Sequence, residues 1–429
     1  VAPRNHPGFK YVRTHGGISE YLLSRNGLRV LLKEEHALPV AVCMVTYHVG
    51  SRNEVTGNTG ATHFLEHLLF KESKHFPRKN GQDVWTRMEG KGARLNATTS
   101  LDRTNYFEIV PSSALFEALS FEADRMRHAV LLERDKNMEM TVVRNEFERD
   151  ENEPADGVEK QIFALAYQAH PYHHPVIGWR SDIEKVSIER LRDFYNTFYW
   201  PSNATLTVIG DFETAPTLRK VNATFGKLPK APHLIPLVYT EEPKQEGPRH
   251  SVISRRSTTN MVALAFKVPP ALHSDTATLQ VLGRVLGVGK ESRLQRALID
   301  TGLATEVTVF GHPLRDNGLI IAHAYLTPDT SHEKVLTIIR SEAHKLSVKG
   351  VTLKELAAVK AQTKAETAMS RDGVYAVASG LNEAIAVGDW RFFVDYERQV
   401  ERVTKNKVTQ VAKKYLHDDQ STSVFFIGK

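Results

Sequence analysis

Internal disulfides are excluded at once, because the 429 residues include a single cysteine, Cys43. It lies inside the apolar run Val40–Tyr47 and is expected to be a buried small hydrophobe, silent about redox compartment. Long apolar runs are missing as well. None approaches the roughly 18 residues of a membrane-crossing helix, which predicts a soluble protein. Basic tails and Arg/Lys runs interleaved with aromatics are also absent: 56 basic and 50 acidic side chains are interspersed, for a net charge of +6. That distribution argues against a nucleic-acid partner and for a solvated, mixed surface. Nor does the chain begin with Met. Its first residue is Val1, which fits a cleaved export signal or some other trimming.

What is present is enough apolar residue, 41%, to fill the cores of about two to three domains. The most informative stretch is Thr62-His63-Phe64-Leu65-Glu66-His67-Leu68-Leu69-Phe70. It has no Gly or Pro and should be helical, fed by the strand Pro39–Val49 and a Gly/Asn-rich loop, 50–60. On a helix, positions three and four apart share a face, so His63, Glu66 and His67 point the same way. Two imidazoles one turn apart can hold a divalent metal, and the carboxylate between them can take a proton from the attacking water. This H-x-x-E-H arrangement suits metal-assisted hydrolysis. The competing reading is an amphipathic helix with two chance histidines, so the motif needs corroboration.

Further along, strands are expected at 93–99 and 104–110, and helices at 82–90, 113–130 and 135–150. The last carries Met138, Val142, Val143 and Phe147 as an apolar stripe. Glu139 and Glu146 lie seven apart on one face of it, where a solvated acidic face is the plain reading. His170-Pro171-Tyr172-His173-His174-Pro175 reads as a structural loop, since two prolines leave no helix to fix ligand geometry. A helix at 188–197, a strand at 204–209 and a helix at 217–225, just after Pro216, complete the first half. The Pro-rich stretch 227–250 then reads as a linker.

The second half echoes the first. Asn260–Phe266 matches Val40–Tyr47, and Ser274–Leu286 matches the motif helix without its histidines. The helices at 332–348 and 353–368 match 113–130 and 135–150, and Lys407–Tyr415 with Ser423–Ile427 repeats the closing helix and strand. The expected fold is therefore α+β and duplicated. Residues 1–226 form the metal-binding domain, 227–250 the linker, and 251–429 a homologous domain without metal ligands. Each domain is an antiparallel-rich mixed sheet packed with helices.

These residues resemble the pitrilysin and mitochondrial-processing-peptidase family of inverzincin zinc peptidases. The resemblance runs nearly end to end. It rests on His63-Phe64-Leu65-Glu66-His67, on Val142-Val143-Arg144-Asn145-Glu146 and on Asn96-Ala97-x-Thr99 followed by Thr104-x-Tyr106. It also includes Tyr199-x-Pro201-x-Asn203-Ala204, Gly210-Asp211 and Ser292-Arg293-Leu294 with Gly302-Leu303-Ala304. The resemblance implies that His63, His67 and Glu146 hold Zn²⁺ and that Glu66 is the general base. Glu139 is expected to orient a histidine or Glu146, and Asn96-Ala97 to lie on an exposed edge strand where an unfolded peptide adds as an extra strand.

One departure stands out. Many members carry an Arg and a Tyr seven residues apart in the second half, which stabilise the tetrahedral oxyanion. Here those positions fall on Ile299 and Thr305. In a short bacterial branch of the family the zinc motif and the Arg/Tyr pair sit on separate subunits. This chain resembles the zinc-bearing subunit of such a heterodimer, with a homologous partner that lacks the zinc motif. The branch implies a periplasmic location, with a cytoplasmic peptide scavenger as the alternative. The competing functional reading is a structural, scaffolding member of the same family.

Overall fold

The structure, a computed structural model, describes residues 6–429. Among the described residues, twelve strands form two sheets. The first contains β1 (Phe9–His15), β2 (Ile18–Leu23), β3 (Arg29–Glu34), β4 (Val40–Tyr47), β5 (Arg94–Thr99), β6 (Thr104–Pro111) and β7 (Ala204–Gly210), in the order β1-β2-β3-β7-β4-β6-β5. Only β3 and β7 pair in parallel; all other neighbours are antiparallel. The second contains β8 (Arg249–Arg255), β9 (Met261–Val268), β10 (Ala304–His312), β11 (Gly318–Leu326) and β12 (Ser421–Gly428), in the order β10-β11-β9-β12-β8. Its one parallel pair is β12 with β8.

The echo in the sequence is thus an echo in topology. The run β5-β6-β4-β7-β3 and the run β10-β11-β9-β12-β8 have the same order, with the parallel pair at the same end. The expected duplicated α+β fold is present. The hairpin β1–β2 extends the first sheet and was not foreseen, because its short strands carry a weak alternation of apolar and polar residues.

Both central strands, β4 and β9, are buried along nearly their whole length, as their Val- and Ala-rich sequences require. On one face of the first sheet, Phe64, Leu65 and Leu68 of the motif helix pack with Leu119 and Met126 of the helix Leu115–His128 and with Leu191 of Ile188–Phe198. In the second sheet the equivalent layer comes from Thr276–Gly287, His332–Lys349 and Lys405–Tyr415. The helix expected to begin after Pro216 begins at Thr214 instead. Pro216 stands in its first turn, where a missing N–H costs nothing.

Neither compact unit is one continuous half of the chain. The first comprises 1–147, 175–239 and 370–394, and the second 148–174, 240–369 and 395–429. The helix Val374–Ala386 from the second half covers the other face of the first sheet: Val377, Leu381 and Ile385 pack on Leu31, Val42, Met44 and Ile209. The helix Pro154–Ala166 from the first half does the same for the second sheet, against β8, β9 and β12. The cores are therefore built by exchanging one helix each way. Among the described residues, no helix is long and apolar enough to cross a membrane.

Candidate metal centre

The motif helix, Ala61–Leu68, is gripped at its start. Glu54 accepts the Gly60 N–H at 2.8 Å and the Thr62 N–H at 2.7 Å, satisfying donors that a helix start leaves orphaned. Asp182 Oδ2 accepts the N–H of Gly57 at 3.0 Å and the Thr59 hydroxyl at 2.7 Å. Gly60 has φ +84°, and a Cβ there would stand 2.4 Å from the Ile177 carbonyl oxygen, so no side chain fits.

From this anchored helix the two imidazoles project beside the long helix Glu133–Asn152. His63 Nε2 lies 3.7 Å and His67 Nε2 3.4 Å from Glu146 Oε2, and the rings sit edge to face at 4.9 Å. Donor atoms around a tetrahedral ion with bonds of about 2.0–2.2 Å are separated by roughly 3.3–3.6 Å. Glu146 Oε2 is buried and has no hydrogen-bond partner, an acceptor that fits a cation. His67 Nδ1 faces Glu139 Oε2 at 3.1 Å, and the other Glu139 oxygen pairs with Lys71 Nζ. A carboxylate behind an imidazole fixes the tautomer that leaves Nε2 free to ligate.

The electrostatics agree with that division. Burial, reinforced by His67, pushes His63 down to about 3, so it stays neutral and able to ligate. Burial also opposes charge on His67, but Glu139, Glu146 and Glu66 outweigh it and raise its pKa. Glu139 is lowered: hydrogen bonds from His67 and Lys71 overcome its burial.

Glu66 does not join the converging donors. Its Oε2 accepts the Thr99 hydroxyl at 2.5 Å. Burial raises its pKa, against the Thr99 hydrogen bond and the charges of His67 and Arg103. Thr99 ends β5, the outermost strand of its sheet, which pairs with β6 alone. Along β5, Leu95 and Ala97 turn inward and Asn96 and Thr98 outward. Arg103 donates to the Thr98 carbonyl at 2.9 Å and to Asn105 Oδ1 at 2.8 Å, tying the end of β5 to β6.

Two sequence expectations need correction. The apolar stripe on the long helix is not Met138, Val142, Val143 and Phe147. Val143 and Phe147 are buried, but Met138 and Val142 are exposed, and Asp135 and Glu139 take the inner positions. They can do so because Asp135 pairs with Arg78, and Glu139 with His67 and Lys71. The solvated acidic face is likewise replaced: Glu139 is buried and Glu146 half-buried.

The loop at 170–175 is structural, as expected: buried His170 reaches Asp316 Oδ2 at 3.0 Å and accepts the Tyr172 N–H. Ile299 packs on the second core, and Thr305 bonds its own sheet through the Tyr325 carbonyl. Arg296 lies 3.9 Å from Glu355. Asp182 was missed because its partners are remote in sequence, and Glu54 and Arg103 because a single charged side chain bonding nearby backbone or a neighbouring strand leaves no periodic signal. Thr99 lay inside a motif already noted, without a role.

Two imidazoles and a carboxylate converging beside a second, hydroxyl-held carboxylate are a side-chain set suited to metal-dependent hydrolysis. The same assignment comes from likeness to other proteins. Residues 29–179 match the model of the insulinase family, peptidase family M16, and residues 185–363 that of the peptidase M16 inactive domain. Zinc protease PqqE of Helicobacter pylori is 32% identical over 411 residues, spanning 95% of this chain and 92% of that one. A crystal structure of a protease from Helicobacter pylori matches at TM-score 0.89 and 30% identity, over 98% of this chain and 100% of that one. The periplasmic protease PqqL of Escherichia coli shares the fold at TM-score 0.79 and 19% identity, and this chain corresponds to 48% of its length. The chain belongs to peptidase family M16.

Proposed function

We propose that this protein is a zinc-dependent endopeptidase subunit acting on unfolded peptides. The observation that carries the reading is the convergence of His63 Nε2, His67 Nε2 and Glu146 Oε2 next to Glu66, at the end of an open edge strand. These three atoms would hold Zn²⁺, which supplies Lewis-acid polarisation of the attacking water and the scissile carbonyl. Zinc is also the metal in the name of the Helicobacter pylori relative, zinc protease PqqE.

Glu66 then moves the proton. With Oε2 held by Thr99, its other oxygen takes a proton from the attacking water as the C–O bond forms. It passes that proton to the amine nitrogen as the C–N bond breaks. Glu139 fixes the His67 ring. An extended substrate pairs its backbone with β5 at Asn96 and Ala97, a mode that reads main chain and tolerates many side chains.

With Ile299 and Thr305 at the expected Arg and Tyr positions, the oxyanion donors come from a homologous partner subunit that lacks the zinc motif. Losing one such donor costs on the order of 10²–10³ in rate, so the single chain should be weakly active. We place the heterodimer in the periplasm, a location that cell fractionation tests.

The test is cleavage of a quenched, unstructured peptide, with metal content measured, for wild type and Glu66→Gln, each alone and with the candidate partner. Zinc in both proteins and partner-dependent activity lost in Glu66→Gln is the expected result. Strong activity from the single chain at stoichiometric zinc overturns the split site. Zinc without activity in any pairing leaves the scaffolding reading, and absence of zinc overturns the metal centre.

A further inference from the structure

A second group of ligating side chains lies outside this centre. His75 sits in the loop that follows the motif helix, while Asp124 and His128 stand four apart on the helix Leu115–His128. Asp124 Oδ1 lies 2.6 Å from His75 Nδ1 and 2.9 Å from His128 Nδ1. Its other oxygen, Oδ2, accepts the Ser73 hydroxyl at 2.5 Å and the His75 backbone N–H at 2.9 Å. The carboxylate is thus buried, 5% exposed, and held from behind, while the two rings reach solvent at 62% and 38% exposure.

We propose that His75, Asp124 and His128 form a second metal site, for a divalent transition ion of the zinc, nickel or copper class. Two imidazoles and one carboxylate select such borderline ions, whereas Mg²⁺ and Ca²⁺ call for oxygen donors throughout. Oδ2 is fixed by Ser73 and the His75 amide, and such outer partners pre-orient a ligand. Donors around a tetrahedral ion stand roughly 3.3 Å apart, so the rings must swing out by about half an ångström. Their exposure leaves room to do so. Each ring ligates through Nδ1 with its proton on Nε2, so binding requires a change of tautomer and no net loss of charge from a neutral ring.

The site's position gives it a consequence. The segment that carries His75 also carries Lys71, paired with Glu139, and Arg78, which reaches Asp135 Oδ1 at 2.9 Å. An ion at His75 pins this segment to the helix Leu115–His128. It thereby stiffens the contacts that place Glu139 behind His67. The ion is a clamp; it takes no part in the reaction.

The experiment counts zinc. Wild type, His63→Ala/His67→Ala, His75→Ala/His128→Ala and the fourfold variant are equilibrated with micromolar zinc, freed of excess and analysed for metal per chain. The expected contents are two, one, one and none, with a zinc-dependent rise in Tm in the His63→Ala/His67→Ala protein that the fourfold variant lacks. Asp124 is retained throughout because it caps the 73–75 turn. As a check that needs no change at His75, cobalt added to His63→Ala/His67→Ala should give a visible absorption band. If that variant holds no zinc and shows no cobalt band, or holds one zinc regardless of His75 and His128, the proposal is wrong and the triad is only a hydrogen-bonded cluster. Failure of the His63/His67/Glu146 centre reads differently: wild type then holds one zinc, lost only on changing His75 and His128.

Discussion

Thr99→Val isolates the hydrogen bond that holds the proposed general base. The substitution keeps the β-branched shape that suits the end of β5 and removes only the hydroxyl that Glu66 Oε2 accepts at 2.5 Å. A hydrogen bond to a charged group contributes about 1.5–3 kcal/mol, and each 1.36 kcal/mol is tenfold in rate. If that energy serves to aim the carboxylate at the attacking water, kcat falls by roughly 10- to 150-fold. KM should change little, because the Thr99 side chain is not one of the backbone groups that a docked strand would pair with. Zinc content should remain at the wild-type level, because Glu66 Oε2 is bonded to Thr99 and is not among the converging donors. Thr99→Ser restores the hydroxyl and should restore most of the rate. Steady-state cleavage of the quenched peptide by the partnered enzyme measures all three proteins. Wild-type kcat in Thr99→Val, or a Thr99→Ser enzyme as slow as Thr99→Val, would refute the reasoning.

The remaining predictions concern metal affinity and stability. Glu139→Gln removes the charge behind His67 and should weaken zinc binding by about 10- to 100-fold, read by competition with a chelating dye. Arg125 is fully buried between Glu108 and Glu122, with its guanidinium 4.2 Å from the Tyr106 ring centroid. Arg125→Ala strands two buried carboxylates and should cost about 3–5 kcal/mol in denaturant unfolding; a loss under 1 kcal/mol contradicts the pairing. In the second unit, burial opposes charge on Asp275. Hydrogen bonds from Lys407, Lys414 and Tyr415 nevertheless bring it from 3.8 down to about 2. A depressed carboxyl stabilises the fold above its unfolded pKa and loses that contribution as pH falls from about 4 through 2. Thermal melts across that window should show the loss in wild type and a flatter profile in Asp275→Asn.

The sequence is most legible where chemistry is local. His63, Glu66 and His67 are set by three and four residues of helix, and their common face could be read without any tertiary contact. The central strands β4 and β9 announced themselves by unbroken apolar runs. Reading failed on the long helix, where Met138 and Val142 invited burial and Asp135 and Glu139 received it. Hydropathy cannot anticipate a buried carboxylate whose partners, Arg78 and His67, are supplied by other segments. Asp182 was hidden for the same reason, and Glu54, though close in sequence to the helix start it caps, because a cap leaves no period in the sequence. The exchanged helices escaped for another reason: periodicity gives a helix its apolar face but not the sheet it will cover.

That exchange bears on whether either half can stand alone. Without the second half, the face of the first sheet covered by Val377, Leu381 and Ile385 would lie bare. Each half holds a helix that completes the other's core, as in a domain-swapped dimer. The two halves should therefore still find each other. Residues 1–239 and 240–429 made separately should each be poorly soluble, should copurify when made together, and should bind zinc only as the pair. A first half that folds and binds zinc alone would show that the trade is dispensable.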